Sequence, residues 1–324
     1  MRFGRTPEQH AFSEALDDLL GAADVSSASR AWAAGDHSAG LKLWQRLAEL
    51  GVTGLLVPEE HGGVGAGCAD LAVAFERLGY HGVPGPWIES VAVAPQLLEG
   101  SDATTILSQV ASGESIVTVA APGGPYALDA DIASKAYGVF DDMVIELNPG
   151  ATKTSVDPQR RLFVMSAGYP ITGRIDPSRA RDLGTLACSA QLLGAGLRLL
   201  DDSVAYVKQR TQFGRPVGEF QAVKHLLADV RVALDFAAPL VHNAAVELDA
   251  GTPTAGRAVS AAKVAAGDAA YLASRTALQV HGAIGYTREF DLSLWILKVR
   301  ALVGAWGTPA EHRARILESL VEAR

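Results

Sequence analysis

The residues best suited to do chemistry lie in two short stretches of the C-terminal half. The first is Arg210-Thr211-Gln212-Phe213-Gly214, running on to Gln221, and the second is Gln279-Val280-His281-Gly282-Ala283-Ile284-Gly285-Tyr286. Arg210 brings a planar, permanently charged guanidinium of the kind that contacts phosphate in a two-pronged way. Gln221 and Gln279 add amides that donate and accept, and Gly282 lets a backbone turn come close to another group. Taken alone, the Arg210 stretch also reads as an ordinary helix-to-helix turn with a solvated arginine. Its coincidence with the Gln279 stretch weighs against that reading.

Other chemistries find little support. Gly62-Gly63-Val64-Gly65-Ala66-Gly67 is glycine-rich but lacks a preceding strand and a βαβ frame, so it reads as a loop and not as a dinucleotide fold. The eight histidines fall into no metal-ligand spacing, and no Gly-x-Ser-x-Gly elbow offers a nucleophile. His225, one turn beyond Gln221, reads as a packed or surface residue. Trp32, Trp44, Trp87 and Trp295 read as core or interface anchors.

The elements that must hold the two stretches follow from periodicity. Thr6 and Pro7 open a first helix, with Phe12, Leu16, Leu19 and Leu20 recurring at helical spacing. Leu41–Leu50 is a second amphipathic segment stopped by Gly51, and Ala69–Gly79 a third. From Glu114 short β-branched or aliphatic runs (116–119, 143–147, 162–165) alternate with Gly, Pro, Asn and Asp, which predicts a small sheet ending near Asp176-Pro177. Helical periodicity returns at Asp182 and holds almost to Arg324, broken by loops at 213–219, 251–253 and 282–286. The expected organisation is mainly α: an N-terminal helical domain over 1–112, a reduced β-domain over 113–176 and a C-terminal helical bundle over 177–324.

Composition narrows the setting. The chain has 324 residues, 48% hydrophobic, enough for substantial cores. A net charge of -8, spread along the chain, argues against nucleic acid as a partner. Cys68 and Cys188 stand alone, without disulfide or zinc spacing, so a reducing cytoplasm is the expected location. The N-terminus, Met1 to Pro7, does not read as a secretory signal. The apolar run Leu183–Leu200, interrupted by Gln191, glycines and Arg198, suits a buried bundle helix better than a membrane span.

Four features in order, the Leu43–Gly51 helix, the Pro58-Glu59-Glu60-His61-Gly62-Gly63 turn, the Arg210–Gln221 stretch and the Gln279–Tyr286 stretch, resemble acyl-CoA dehydrogenases. The resemblance covers most of the chain. It implies an N-terminal helical domain, a middle β-domain and a C-terminal four-helix bundle holding FAD. It further implies that Arg210 contacts the FAD pyrophosphate, Phe213 packs on the adenosine, Gln221 adds a polar contact, and Gln279 with Gly282 forms a second ADP contact reaching a neighbouring subunit. Ala283 replaces the family's second glycine there.

The resemblance also exposes what is missing. The family's base is a carboxylate that removes the α-proton while a hydride leaves to the flavin. Its usual Glu-Gly-Thr corresponds to Trp306-Gly307-Thr308, and the alternative position to Gly184, so no catalytic residue is assigned. Asp182 lies about 200° round the helix from Gly184, and Glu289 and Asp291 are too weakly placed to substitute. The flavin-covering motifs of the β-domain have no counterpart beyond a remote echo in Ala121-Pro122-Gly123-Gly124-Pro125. The resemblance thus implies a non-catalytic short subunit of a heteromeric, α2β2 dehydrogenase of the actinobacterial steroid side-chain type. Its FAD would be shared with a longer homologous subunit that binds the acyl-CoA substrate and passes electrons to an external acceptor. Two alternatives stay open: a self-sufficient homo-oligomeric dehydrogenase with an unrecognised base, and a flavin-free binding module.

Overall fold

A computed structural model describes residues 4–120, 124–140, 143–173 and 175–322. The chain begins with α1 (Pro7–Gly21), α2 (Val25–Ala33), α3 (Ser38–Glu49) and α4 (Cys68–His81), followed by a π-turn at Ile88–Val93, α5 (Ala94–Leu98) and α6 (Leu107–Ala111). Thr6 starts α1 as the sequence suggests. Its hydroxyl accepts from the Gln9 amide at 3.2 Å, while the Gln9 side chain accepts from the Thr6 amide at 3.1 Å, with Pro7 in the first turn. Trp44 and Trp87 stack at 3.9 Å in the core of this helical part.

Five strands follow: β1 (Val117–Ala120), β2 (Tyr126–Leu128), β3 (Lys135–Phe140), β4 (Met143–Lys153) and β5 (Leu162–Pro170). They form one sheet in the order β1-β3-β4-β5-β2, with β1 and β3 parallel and the other pairs antiparallel. The sheet is larger than the sequence suggests, because β2 and β3 carry no clean alternation. β2 is three residues long, and β3 contains Gly138, where a Cβ would meet Leu147 Cδ1 at 2.8 Å. The sheet's own core is thin, made of Ala120, Ala127, Ala130, Ala136, Leu147 and Phe163. Of the proline-glycine echo near 121–125, Ala121, Pro122 and Gly123 lie outside the described residues, as do Met1, Arg2 and Phe3.

The last part is helical: α7 (Pro177–Gln209), a hairpin of β6 (Thr211–Gln212) and β7 (Arg215–Pro216), α8 (Gln221–Asp249), α9 (Ala255–His281), α10 (Leu292–Gly304) and α11 (Pro309–Glu322). Helix α7 starts five residues before the sequence periodicity resumes, because Asp176 caps it by accepting from the Arg179 amide at 3.0 Å. It is long and apolar enough to cross a membrane, yet 89% of its most apolar window is buried by other helices. Close approach explains the glycines of this region. A Cβ on Gly194 would sit 1.8 Å from the Glu76 carbonyl oxygen and one on Gly79 2.2 Å from that of Gln191, so α4 and α7 cross almost backbone to backbone. One continuous apolar core joins the first helices to this bundle.

Candidate functional site

Two regions stand out, one at the end of the bundle and one at its centre. At the end, Tyr206 in the last turns of α7 stacks on His281 at 4.2 Å, and its hydroxyl reaches the His281 carbonyl at 3.5 Å. That contact brings the Arg210 and Gln279 stretches to the same end of the bundle. Arg210 closes α7 and is exposed, and its guanidinium makes no hydrogen bond or ion pair among the described residues. Phe213 is 92% exposed at a backbone φ of 51°, in a left-handed turn that Gly214 continues at 79°. Phe220 meets its ring edge-on 6.2 Å away, and the Arg215 guanidinium covers Phe220 at 4.2 Å. Gln221 opens α8, its Oε1 3.3 Å from Nε2 of the exposed His225. Gln279 is exposed, and Gly282 holds φ 64° and ψ -138°, open to glycine only, with free space where a Cβ would stand.

An aromatic projecting into solvent and an arginine without a partner are unusual economies for one chain, and both lie on the surface that continues along α8. That helix exposes Leu226, Val232, Phe236 and Leu240 as a stripe, with Phe236 74% exposed.

The centre is built in the opposite way. Trp306 is 3% exposed, in a left-handed turn with φ 56° between α10 and α11, and its ring lies directly on Gly184 of α7. A Cβ at residue 184 would meet Trp306 Cε3 at 2.7 Å. The two positions where the resemblance looks for a base therefore fill each other's space. The turn is held from three sides. Thr185 donates to the Trp306 carbonyl at 3.3 Å and His312 Nε2 to the same oxygen at 3.0 Å, while Lys263 Nζ donates to the Leu302, Val303 and Gly307 carbonyls at 3.1, 2.9 and 3.3 Å. Thr308 and Glu311 close a reciprocal cap on α11. Burial pushes the Lys263 ammonium and the His312 imidazolium down in pKa.

Asp182 is engaged elsewhere, in a two-pronged ion pair with Arg315 of α11. Asp291 pairs with Arg30 at 2.7 Å. Glu289 is exposed, and only its carbonyl is engaged, by Arg30.

The sequence reading missed Glu89, Arg160 and Lys263. Glu89 is 3% exposed in the π-turn, and its Oε2 and Trp306 Nε1 are both buried without a hydrogen-bond partner. Burial raises the Glu89 pKa, with Arg160 and the nearby Trp306 indole pulling weakly the other way. Glu89, Trp306, Thr308, Arg300 and Arg160 line a cavity of about 570 Å³ between the sheet and the bundle. The one available signal was a lone acid inside the apolar run Trp87-Ile88-Glu89-Ser90-Val91. Lys263 had a similar signal, a lysine flanked by Ala261, Ala262, Ala265 and Ala266 in alanine-rich α9.

Residues 6–114 match the N-terminal domain of acyl-CoA dehydrogenases and residues 180–321 their C-terminal domain. Among similar proteins, the acyl-CoA dehydrogenase IpdE2 of Mycolicibacterium smegmatis is 33% identical over 85% of this chain and 86% of that protein. The acyl-CoA dehydrogenase IpdE2 of Mycobacterium tuberculosis is 31% identical over 98% of each. The ChsE4-ChsE5 complex from Mycobacterium tuberculosis has the same fold, with a TM-score of 0.82 at 19% identity over 99% of both chains.

Proposed function

The chain belongs to the acyl-CoA dehydrogenase family, and from that premise we propose that it is the non-catalytic subunit of a heteromeric FAD-dependent dehydrogenase. The observation that carries this reading is the mutual filling of Gly184 and Trp306, which leaves neither position able to hold a base. Indole has no basic lone pair to accept a proton, and no side chain fits at residue 184 while the ring is there.

The residues present suit one half of FAD. The unpartnered Arg210 guanidinium would take the pyrophosphate, exposed Phe213 would lie against the adenosine, Gln221 and Gln279 would bond its polar edge, and the open backbone at Gly282 would allow close approach. When bound, FAD supplies the hydride acceptor. The other half of the site, with the base and the acyl-CoA, is assigned to a longer homologous subunit docked along the apolar stripe of α8. The two-chain ChsE4-ChsE5 complex, alike in fold, supports such an assembly. A steroid side-chain CoA thioester as the substrate rests on the family resemblance alone.

One observation favours the self-sufficient alternative, the buried Glu89 carboxyl beside Trp306. Burial raises its pKa, which is compatible with proton transfer, but the carboxyl stands at neither position where the family resemblance places the base.

Arg210→Ala tests the proposal. It should weaken FAD retention by the intact complex by about 1.5 to 3 kcal/mol, read as flavin lost on dilution. Unchanged flavin content would count against the assigned role.

A further inference from the structure

We propose that this chain carries a binding site of its own for an amphipathic organic anion, whose charged end rests on Arg160. A second cavity, of about 740 Å³, lies beyond the first, and the two share Thr154, Ser155, Val156, Arg160 and Leu162. Arg160 stands in the common wall. It is half-buried, and its side chain makes no hydrogen bond or ion pair among the described residues. A guanidinium withdrawn from water without a partner is costly, and an oxyanion is the group that satisfies its fork.

Glu89 and Asp129 are carboxyl groups that feel the charge of Arg160, and neither bonds to it. Both are orphaned at one oxygen, Oε2 and Oδ2. Burial raises both pKa values, that of Asp129 to about 8, which weakens the compensation either offers the arginine's charge. On the rim of the larger cavity Lys153 and Arg288 add two more exposed cationic side chains without partners among the described residues, in a chain whose net charge is -8. Arg161, also in the lining, is different, because it pairs with Asp131 at 2.5 Å.

The apolar side chains of Leu162, Leu278, Ile296 and Leu297 share the wall with the hydroxyls of Thr152, Thr154, Ser155 and Ser293. The volume falls in the range of small-molecule sites, and an apolar stretch of wall beside Arg160, with further cations on the rim, selects a molecule with an apolar body and an oxyanion head. A carboxylate and a phosphate monoester share that chemistry. None of the residues assigned to FAD lines this cavity, so the site does not depend on the proposed subunit role.

The test is calorimetric titration of the intact chain, or of its complex where a partner co-purifies, with octanoate, octyl phosphate, octanol and inorganic phosphate. At least one of the two octyl anions should bind saturably, at least about tenfold more tightly than octanol, and inorganic phosphate should bind more weakly than either. The tighter of the two anions identifies the head group. Arg160→Gln should weaken the anion about tenfold or more and leave octanol unchanged, and Arg160→Lys should recover part of the loss. Octanol binding as tightly as both anions, absence of anion binding, or full anion affinity in a folded Arg160→Gln chain would each overturn the proposal. If Arg160→Gln does not fold, the comparison of octanoate and octyl phosphate with octanol on the unmodified chain decides alone.

Discussion

The end of the bundle and its centre are both places where the family resemblance looks for chemistry, and they are constructed oppositely. At the end, Arg210 has no hydrogen-bond or ion-pair partner among the described residues, Phe213 is 92% exposed and Gly282 keeps an open backbone, so these groups face outward. At the centre, Trp306 and Gly184 complete each other, and Thr185, Lys263 and His312 lock the turn. A chain that had merely decayed would lose both regions together. An outward-facing set of groups beside a filled interior fits the proposed role of a subunit serving a neighbour's site.

The largest effect should come from opening the centre. Trp306→Ala removes a buried indole and should cost about 3 to 5 kcal/mol of folding stability, measured by urea unfolding. Adding Gly184→Leu to it should recover part of that loss, because the new side chain enters the space the ring vacated. Strict additivity of the two changes would mean that the positions do not share it.

Next in size is the outer face. Phe236→Asp on the α8 stripe should weaken association with the partner by about 2 kcal/mol, roughly thirtyfold, in sedimentation or calorimetry. Unaltered assembly would move the interface elsewhere.

A third effect belongs to the buried acids behind the sealed site. Burial raises the Asp129 pKa from 3.8 to about 8, so the folded state binds this proton more tightly than the unfolded state does. Its contribution is therefore fully present below about pH 4 and is lost as pH rises towards about 8. The stability of the wild type relative to Asp129→Asn should accordingly fall across that window. A flat difference would show that Asp129 titrates normally.

The smallest effect is a near-absence. Arg210→Ala should leave the chain's own stability within about 0.5 kcal/mol, since that exposed guanidinium makes no hydrogen bond or ion pair among the described residues. Its influence on flavin retention would then separate function from folding, which Trp306→Ala cannot do.

Much of the outline was legible in residue spacing. The helix-sheet-helix order follows from periodicities of 3.6 and 2 punctuated by glycine and proline, and the Thr6-Pro7 start and the buried tryptophans follow from side-chain chemistry. The start of α7 was not, because Asp176 caps a first turn whose Ser178, Arg179 and Arg181 show no apolar period. Strands β2 and β3 were too short or too interrupted to signal themselves. The Trp306-Gly184 contact was invisible for a different reason. Each position could be seen to lack a carboxylate, but only packing reveals that one loss fills the other. Arg160 likewise gains its meaning from two cavities that no local pattern encodes, whereas Glu89 left a trace as the single charge in an apolar run.

The central claim is that this chain grips a cofactor whose reactive ring another chain houses. It is tested most directly by measuring flavin content and acyl-CoA turnover for the isolated chain and for the chain co-expressed with a homologous longer subunit. The expected result is a colourless, inactive chain alone and a yellow, active complex whose flavin equals the number of partner chains and not the total number of chains. An isolated chain that holds a full complement of flavin and oxidises an acyl-CoA would contradict the account.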